Sequence, residues 1–318
     1  MADGTLAADG EFAVIDRLVS GRRQPPSVVV GPGDDAAVLT GTGATAVSTD
    51  MLVEGRHFRL DWSTPYDIGR KAIAQNASDI EAMGGRATAF VVGYGAPGDT
   101  ETAQAVALSD GLWDEATRVG AGIVGGDMVA APQWVVSVTV LGDLDGRPPV
   151  LRGGARPGDV VAVVGELGRS AAGYALWHNN IEGFEALRRR HLVPAPPYGQ
   201  GAAAARAGAT AMTDVSDGLL ADLGHIAAAS GVHVDLAVAL LRDDLDALGP
   251  AAHAAGVDPR HWVLGGGEDH ALVATFPDEP PPGWRAIGRV RRPAAGFGSG
   301  AVTVDGAAWT GSAGWQSY

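Results

Sequence analysis

The chain has 318 residues, 46% of them hydrophobic and 19% charged, with no cysteine and a formal net charge of -14. That length exceeds what one hydrophobic core usually serves, so two domains are expected, and the composition excludes a disordered chain. The missing cysteine excludes thiol catalysis, thiolate zinc sites and disulfides, while 37 acids against 23 bases exclude nucleic acid as a partner, because most of the surface repels a phosphate backbone. The acidic start Met1-Ala2-Asp3-Gly4 does not read as a secretory signal and no apolar run reaches membrane length, so a cytoplasmic protein with no membrane partner is expected. If its ligand is anionic, something must invert the local field, and divalent cations do so.

In chain order, Phe12, Ile15, Leu18 and Val19 recur at helical spacing. Ser27–Val30 and Ala44–Ser48 read as strands. Between them Gly33-Asp34-Asp35 sets two carboxylates in a turn, and Asp50 closes the β-branched run that Ser48 and Thr49 continue, ahead of Glu54-Gly55-Arg56-His57. A helix is expected from Pro65 to Met83, stopped by Gly84-Gly85, with Asn76 and Asp79 three apart on one face. Ala87–Tyr94 then reads as a strand, Thr100–Arg118 as a helix, Ala121–Val124 as a strand ending in Gly125-Gly126-Asp127, and Gln133–Leu141 as a strand.

A Gly/Pro-rich seam at Asp143–Pro149 separates an N-terminal domain, 1–148, from a C-terminal one, 149–318. The second half opens on Arg152 and Pro157-Gly158-Asp159, then a strand Val160–Val164 and a helix from about Ser170. Further on, Asp214-Val215-Ser216-Asp217 reads as a short strand delivering acids into a helix. Gly265-Gly266-Gly267-Glu268-Asp269-His270 is a glycine-rich turn whose backbone admits a ligand closely. Strands Ala271–Phe276 and Trp284–Val290, an Asp305-Gly306 hairpin and an aromatic tail with Trp315 complete the chain.

The single lysine, Lys71, is not in a Gly-Lys-Ser/Thr context, so a Walker phosphate loop is excluded. What remains is a dispersed set of aspartates beside Gly, Ser or Thr, the hard oxygen donors that suit Mg²⁺ together with substrate phosphates. Capping or turn formation is the alternative for each one singly. Two like charges 4 Å apart repel by about 4 kcal/mol at an effective dielectric near 20, so joining two phosphorylated reactants calls for such ions. Arg152 offers a bidentate fork to a phosphate or is a surface arginine. His57 is an acceptor contact or an ordinary turn histidine, and Trp315 stacks on a heteroaromatic ring or covers a core edge.

Gly33-Asp34-Asp35-Ala36-Ala37, Ser48-Thr49-Asp50 with His57, Asn76-Ala77-Ser78-Asp79, Gly125-Gly126-Asp127, Arg152 with Pro157-Gly158-Asp159, Asp214-Val215-Ser216-Asp217-Gly218 and Gly266-Gly267-Glu268-Asp269 together resemble the thiamine-monophosphate kinase family, in order and over nearly the whole chain. The resemblance implies the two-domain aminoimidazole ribonucleotide synthetase-like fold, with an N-terminal α/β domain that pairs with its twin in a homodimer and a C-terminal α/β domain. It implies in-line, Mg²⁺-assisted transfer of phosphate from ATP to thiamine monophosphate, with several ions. On the same footing Asp35, Ser48, Thr49, Asp50, Asp79, Asp127, Asp214 and Asp217 bind magnesium, Gly126, Asp127, Arg152 and Ser216 meet ATP, and His57, Glu268 and Trp315 meet the substrate. Met128 and His270 depart from the family's usual threonine and aromatic. A sister ATP-dependent enzyme, or an idle metal- or nucleotide-binding protein of the same fold, are the competing readings.

Overall fold

The computed structural model describes residues 4–32, 36–293 and 300–314. Its chain divides into two compact units, one of Met1–Ile80 and Arg86–Gly146, the other of Glu81–Gly85 and Arg147–Tyr318.

The first unit contains α1 (Leu6–Asp9), α2 (Glu11–Val19), β1 (Val28–Val30), β2 (Val38–Leu39), β3 (Thr45–Val53), α3 (Pro65–Ala82), β4 (Arg86–Ala96), α4 (Thr102–Val119), β5 (Gly122–Ala130) and β6 (Val135–Asp143). Pro65 opens α3 where its missing N–H is harmless, and α4 stops at Gly120, whose φ of 82° is left-handed. The four-stranded sheet runs β3-β6-β4-β5. Only β4 and β5, joined through α4, are parallel.

Alternation along the strands gives this sheet two unlike faces. Leu52, Phe90, Val136, Val138 and Val140 point into the core, whereas Val47, Met51, Val91 and Val129 share the other face and are exposed, Val47 by 63% and Met51 by 52%. Two strands outrun their expected ends. β3 continues past Asp50 to Val53, because Met51, Leu52 and Val53 go on pairing with β6, and β5 continues through Gly125-Gly126-Asp127. Gly126 makes the latter feasible: a Cβ there would stand 2.2 Å from the Val92 carbonyl oxygen of β4.

Helices α3 and α4 meet backbone to backbone at two glycines. A Cβ on Gly69 would lie 2.2 Å from the Leu108 carbonyl oxygen, and one on Gly111 would lie 2.0 Å from that of Tyr66. Neither obstacle is a side chain that can swing away. Gly111→Ala is therefore expected to destabilise the protein by about 3 kcal/mol, read as a lowered urea midpoint; an unchanged midpoint would show that the helices are free to part.

The second unit contains β7 (Val160–Val164), α5 (Arg169–His178), α6 (Glu185–Leu192), α7 (Gln200–Arg206), β8 (Ala211–Asp214), α8 (Leu219–Ser230), β9 (His233–Leu236), a 3₁₀ turn (Val238–Leu241), α9 (Arg242–Ala255), α10 (Pro259–Gly265), β10 (Leu272–Phe276), β11 (Arg285–Arg291), β12 (Val302–Val304) and β13 (Ala307–Ala308). Its sheet runs β13-β12-β9-β11-β7-β10-β8, antiparallel except for β12 beside β9. Val161 and Val163 of β7 join the apolar cluster of Leu219, Leu223 and Ile287, while Ala162 and Val164 join that of Phe276 and Trp284. A strand covered on both faces needs an unbroken apolar run, and Val160–Val164 is one. Asp305 and Gly306, with φ of 51° and 76°, make the expected two-residue turn between β12 and β13.

Helices α6, α9 and α10 and strand β9 were not among the expected elements. In α6 the run Arg188-Arg189-Arg190 masks the helical period, although Arg188 folds over the Trp177 ring at 3.6 Å. In α9 it is Pro250, inside the helix, that disguises the spacing of buried Leu248, Ala251 and Ala252.

Candidate functional site

Of the expected metal-binding residues, the first unit gathers Ser48, Asp50 and Asp79. Ser48 and Asp50 share the face of β3 that α3 covers, and α3 presents Asn76 and Asp79 one turn apart. Ser48 Oγ donates to Asp79 Oδ2 at 2.6 Å, and Asn76 Oδ1 accepts the Asp50 main-chain N–H at 3.1 Å. Asn76 is buried and locked by donating from Nδ2 to the Ala72 carbonyl at 2.8 Å, so it orients the strand as a side chain rather than as surface. Thr49 points to the opposite face: its Oγ1 donates to the Val138 carbonyl at 3.0 Å and accepts from Thr139 Oγ1 at 3.1 Å. Strand alternation thus separates the Thr49 hydroxyl from those of its neighbours.

Gly126 and Asp127 lie at the other edge of the same sheet. Asp50 pairs with Val138, Val138 with Val92 and Val92 with Gly126, so three strand spacings, roughly 14 Å, separate the Asp50 position from β5. Asp127 is exposed and its Oδ1 accepts the Met128 N–H at 2.9 Å. Beside it lies a cavity of about 460 Å³ lined by Leu18, Val92, Leu112, Trp113, Ile123 and Gly126, among others. Tyr94 also lines it and is buried, its hydroxyl without a hydrogen-bond partner among the described residues. His57 sits in the exposed turn after β3, where its Nδ1 accepts the Val53 N–H at 3.0 Å and its carbonyl accepts from the buried Lys71 ammonium at 3.0 Å. The single lysine therefore holds a turn.

In the second unit β8 ends at Asp214, which is buried, and Ser216 and Asp217 follow before α8. The glycine-rich turn lies directly against them. Glu268 N–H donates to the Ser216 carbonyl at 2.7 Å and His270 N–H to that of Val215 at 2.9 Å. Glu268 and His270 hold left-handed φ values of 60° and 53°, which non-glycine residues adopt at a cost and which cluster at functional sites. The expectation that three glycines make room for a ligand is corrected here. A Cβ on Gly265 would meet the Ser312 carbonyl oxygen at 2.3 Å, one on Gly266 that of Trp262 at 2.3 Å, and one on Gly267 that of Ser216 at 2.5 Å. The room is taken by the protein's own backbone.

Four residues outside the expected set brace this turn. His270 Nδ1 lies 3.0 Å from Asp214 Oδ2, so the departure from an aromatic residue places a polar partner on a buried acid. Asp269 accepts the N–H groups of Gly168 and Ser170 and so caps α5, whose own N-cap is a glycine; burial pushes its carboxyl up to about 7. His191 Nδ1 stands 3.1 Å from Ser170 Oγ and 3.5 Å from Glu268 Oε2. Asp222, also buried, is pushed up to about 7 by burial and by the charges of Asp214 and Asp217. Asp222 carried a signal in its helical spacing from the acid turn and Asp269 one in its place after Glu268 in the glycine-rich motif; His191 carried none, since the contacts that define it join distant segments.

Arg152 is exposed, its backbone held by Ser230 Oγ donating to its carbonyl at 3.1 Å and by the neighbouring Leu151 carbonyl accepting Met212 N–H at 3.2 Å, two residues before Asp214. Asp35 and Trp315 lie outside the described residues. Gly314 does not: a Cβ on it would come 2.8 Å from the Asp217 carbonyl oxygen, and Ala313 accepts the Ala221 N–H at 3.1 Å, so the chain reaches residue 314 alongside the acid turn. No helix among the described residues is long and apolar enough to cross a membrane.

Two family models match, AIR synthase related protein N-terminal domain over residues 33–144 and its C-terminal domain over 156–256. The chain is 70% identical over 315 residues to the thiamine-monophosphate kinase of Mycobacterium tuberculosis, covering 99% of this chain and 93% of that one. It belongs to the thiamine-monophosphate kinase family.

The family's Corynebacterium glutamicum member is 42% identical over 328 residues, covering 100% of this chain and 96% of its own. A solved structure of a ThiL protein complexed with AMPPCP and TMP superposes with a TM-score of 0.79 at 31% identity, over 98% of this chain and 97% of that one. The expected fold is thus present: both α/β units belong to the AIR synthase-like architecture of this kinase family.

Proposed function

We propose that the chain phosphorylates thiamine monophosphate to thiamine diphosphate with ATP. The observation that carries this reading is whole-length identity of 70% to a thiamine-monophosphate kinase, and the likeness to a ThiL structure holding an ATP analogue and TMP supports it. A phosphate oxygen of thiamine monophosphate attacks the γ-phosphorus of ATP, the bond to the β,γ-bridging oxygen breaks, and ADP leaves with that electron pair. The attacking oxygen is already anionic, so no strong base is required, consistent with a site built from acids and hydroxyls.

The donors fit magnesium. Ser48, Asp50 and Asp79 in the first unit, and Asp214 and Asp217 in the second, offer the hard oxygens that magnesium takes together with phosphate oxygens. Asp35, Thr49 and Asp127 belong to the proposed set, Thr49 through its main-chain carbonyl, since its hydroxyl points to the other face. When bound, the ions offset the charge of the two phosphorylated reactants. The apolar cavity beside Gly126 and Asp127 has the lining a nucleotide base requires. Arg152 and Ser216, in the second unit, are the other proposed nucleotide contacts. His57, Glu268 and Trp315 are the proposed thiamine monophosphate contacts.

The protein acts as a cytoplasmic homodimer in this reading. The open sheet face with exposed Val47, Met51, Val91 and Val129 is the surface that a second copy covers. A two-fold axis running along the strand direction over that face sets the Asp50 edge of each copy against the Asp127 edge of the other, and this is the pairing proposed to complete the donor set.

Incubation with thiamine monophosphate, ATP and Mg²⁺, followed by chromatography of the products, is expected to show thiamine diphosphate and ADP in equal amounts, and none in chelator. Absence of thiamine diphosphate with magnesium in excess would contradict the activity.

A further inference from the structure

Asp222 sits in the first turns of α8 with 1% of its surface exposed, yet it faces backward, out of the helix and into the acid turn. Its Oδ2 accepts three consecutive main-chain N–H groups, those of Ser216 and Asp217 at 3.1 Å each and of Gly218 at 3.0 Å. Three amides converging on one oxygen form an anion-binding concavity that the protein fills with its own carboxylate. Gly218 is the N-cap of α8 and has no side chain to cap with, and its φ of 142° lets the turn close over Asp222.

We propose that Asp222 is the positioning residue of the nucleotide and metal turn: by holding the amides of residues 216–218 inward, it fixes where the Ser216 hydroxyl and the Asp217 carboxylate stand. The inference rests on the functional reading above, which gives Ser216 to ATP and Asp217 to magnesium. Oxygens of Asp222 and Asp217 and a ring nitrogen of His225 lie within 4.8 Å of one another, so a small displacement of Asp222 changes the surroundings of the Asp217 oxygens directly. Simple helix capping has a different signature. A cap lost from α8 lowers stability and leaves the folded fraction with unaltered ligand affinities.

Equilibrium binding separates the two. Calorimetric titration of the full chain with Mg²⁺ and AMPPCP is expected to give an affinity for Asp222→Ala at least about 10-fold weaker than wild type, the scale seen when a residue orienting a metal ligand is removed. The KM for thiamine monophosphate should move less than that for ATP. Asp222→Asn, which keeps a carbonyl oxygen for the three amides, should recover most of the loss. If Asp222→Ala does not fold, Asp222→Glu decides, because it keeps charge and burial but displaces the oxygen by one methylene. Wild-type affinity in a folded Asp222→Ala or Asp222→Glu protein overturns the proposal. Failure of the wild type itself to bind AMPPCP would instead overturn the functional reading.

Discussion

Asp50→Asn is expected to lower the rate of thiamine diphosphate formation by about 10²–10³-fold while leaving the unfolding midpoint unchanged. The substitution is nearly isosteric, and the main-chain N–H of residue 50 still donates to Asn76 Oδ1, so β3 keeps its register between β6 and α3. What disappears is a negative charge beside Ser48 and Asp79. A 100-fold loss corresponds to about 2.7 kcal/mol of transition-state stabilisation, well within the repulsion of roughly 4 kcal/mol per charge pair that bound cations relieve. Initial rates over a magnesium titration, together with a thermal melt, check this. If the rate stays at the wild-type level, Asp50 is a structural acid and the donor set must be redrawn around Asp79. A large rate loss accompanied by unfolding would equally deny Asp50 a functional role.

Some local geometry was legible before any coordinate: Asp214 was expected at a strand end and is found there, and Asn76 and Asp79 could be set on one helix face from their spacing alone. Period-two alternation also implies that Ser48 and Thr49 point apart, as the Thr49 bond to the Val138 carbonyl shows. Other features depend on contacts between distant segments, which no local pattern carries. Asp269 caps a helix about 100 residues upstream, and Gly265, Gly266 and Gly267 are small because the tail, α10 and the acid turn press against them. The ends of β3 and β5 are misjudged locally for the same reason. Asp50 and Asp127 read as punctuation, but the ladder to the neighbouring strand continues through both.

The sheet order β3-β6-β4-β5 gives those two aspartates their consequence. They lie at opposite edges, about 14 Å apart along the sheet, so they reach one site only in the proposed pairing of two copies, with the Asp50 edge of each set against the Asp127 edge of the other. The most direct measurement mixes Asp50→Asn protein with Asp127→Asn protein, dissociates and reassociates the subunits, and follows thiamine diphosphate formation. Each variant alone is expected to be nearly inactive. In a mixed dimer one site carries both substitutions and the other carries neither, so random reassociation restores about a quarter of the wild-type rate. A mixture no more active than its components would contradict the shared site and place the working acids within a single chain.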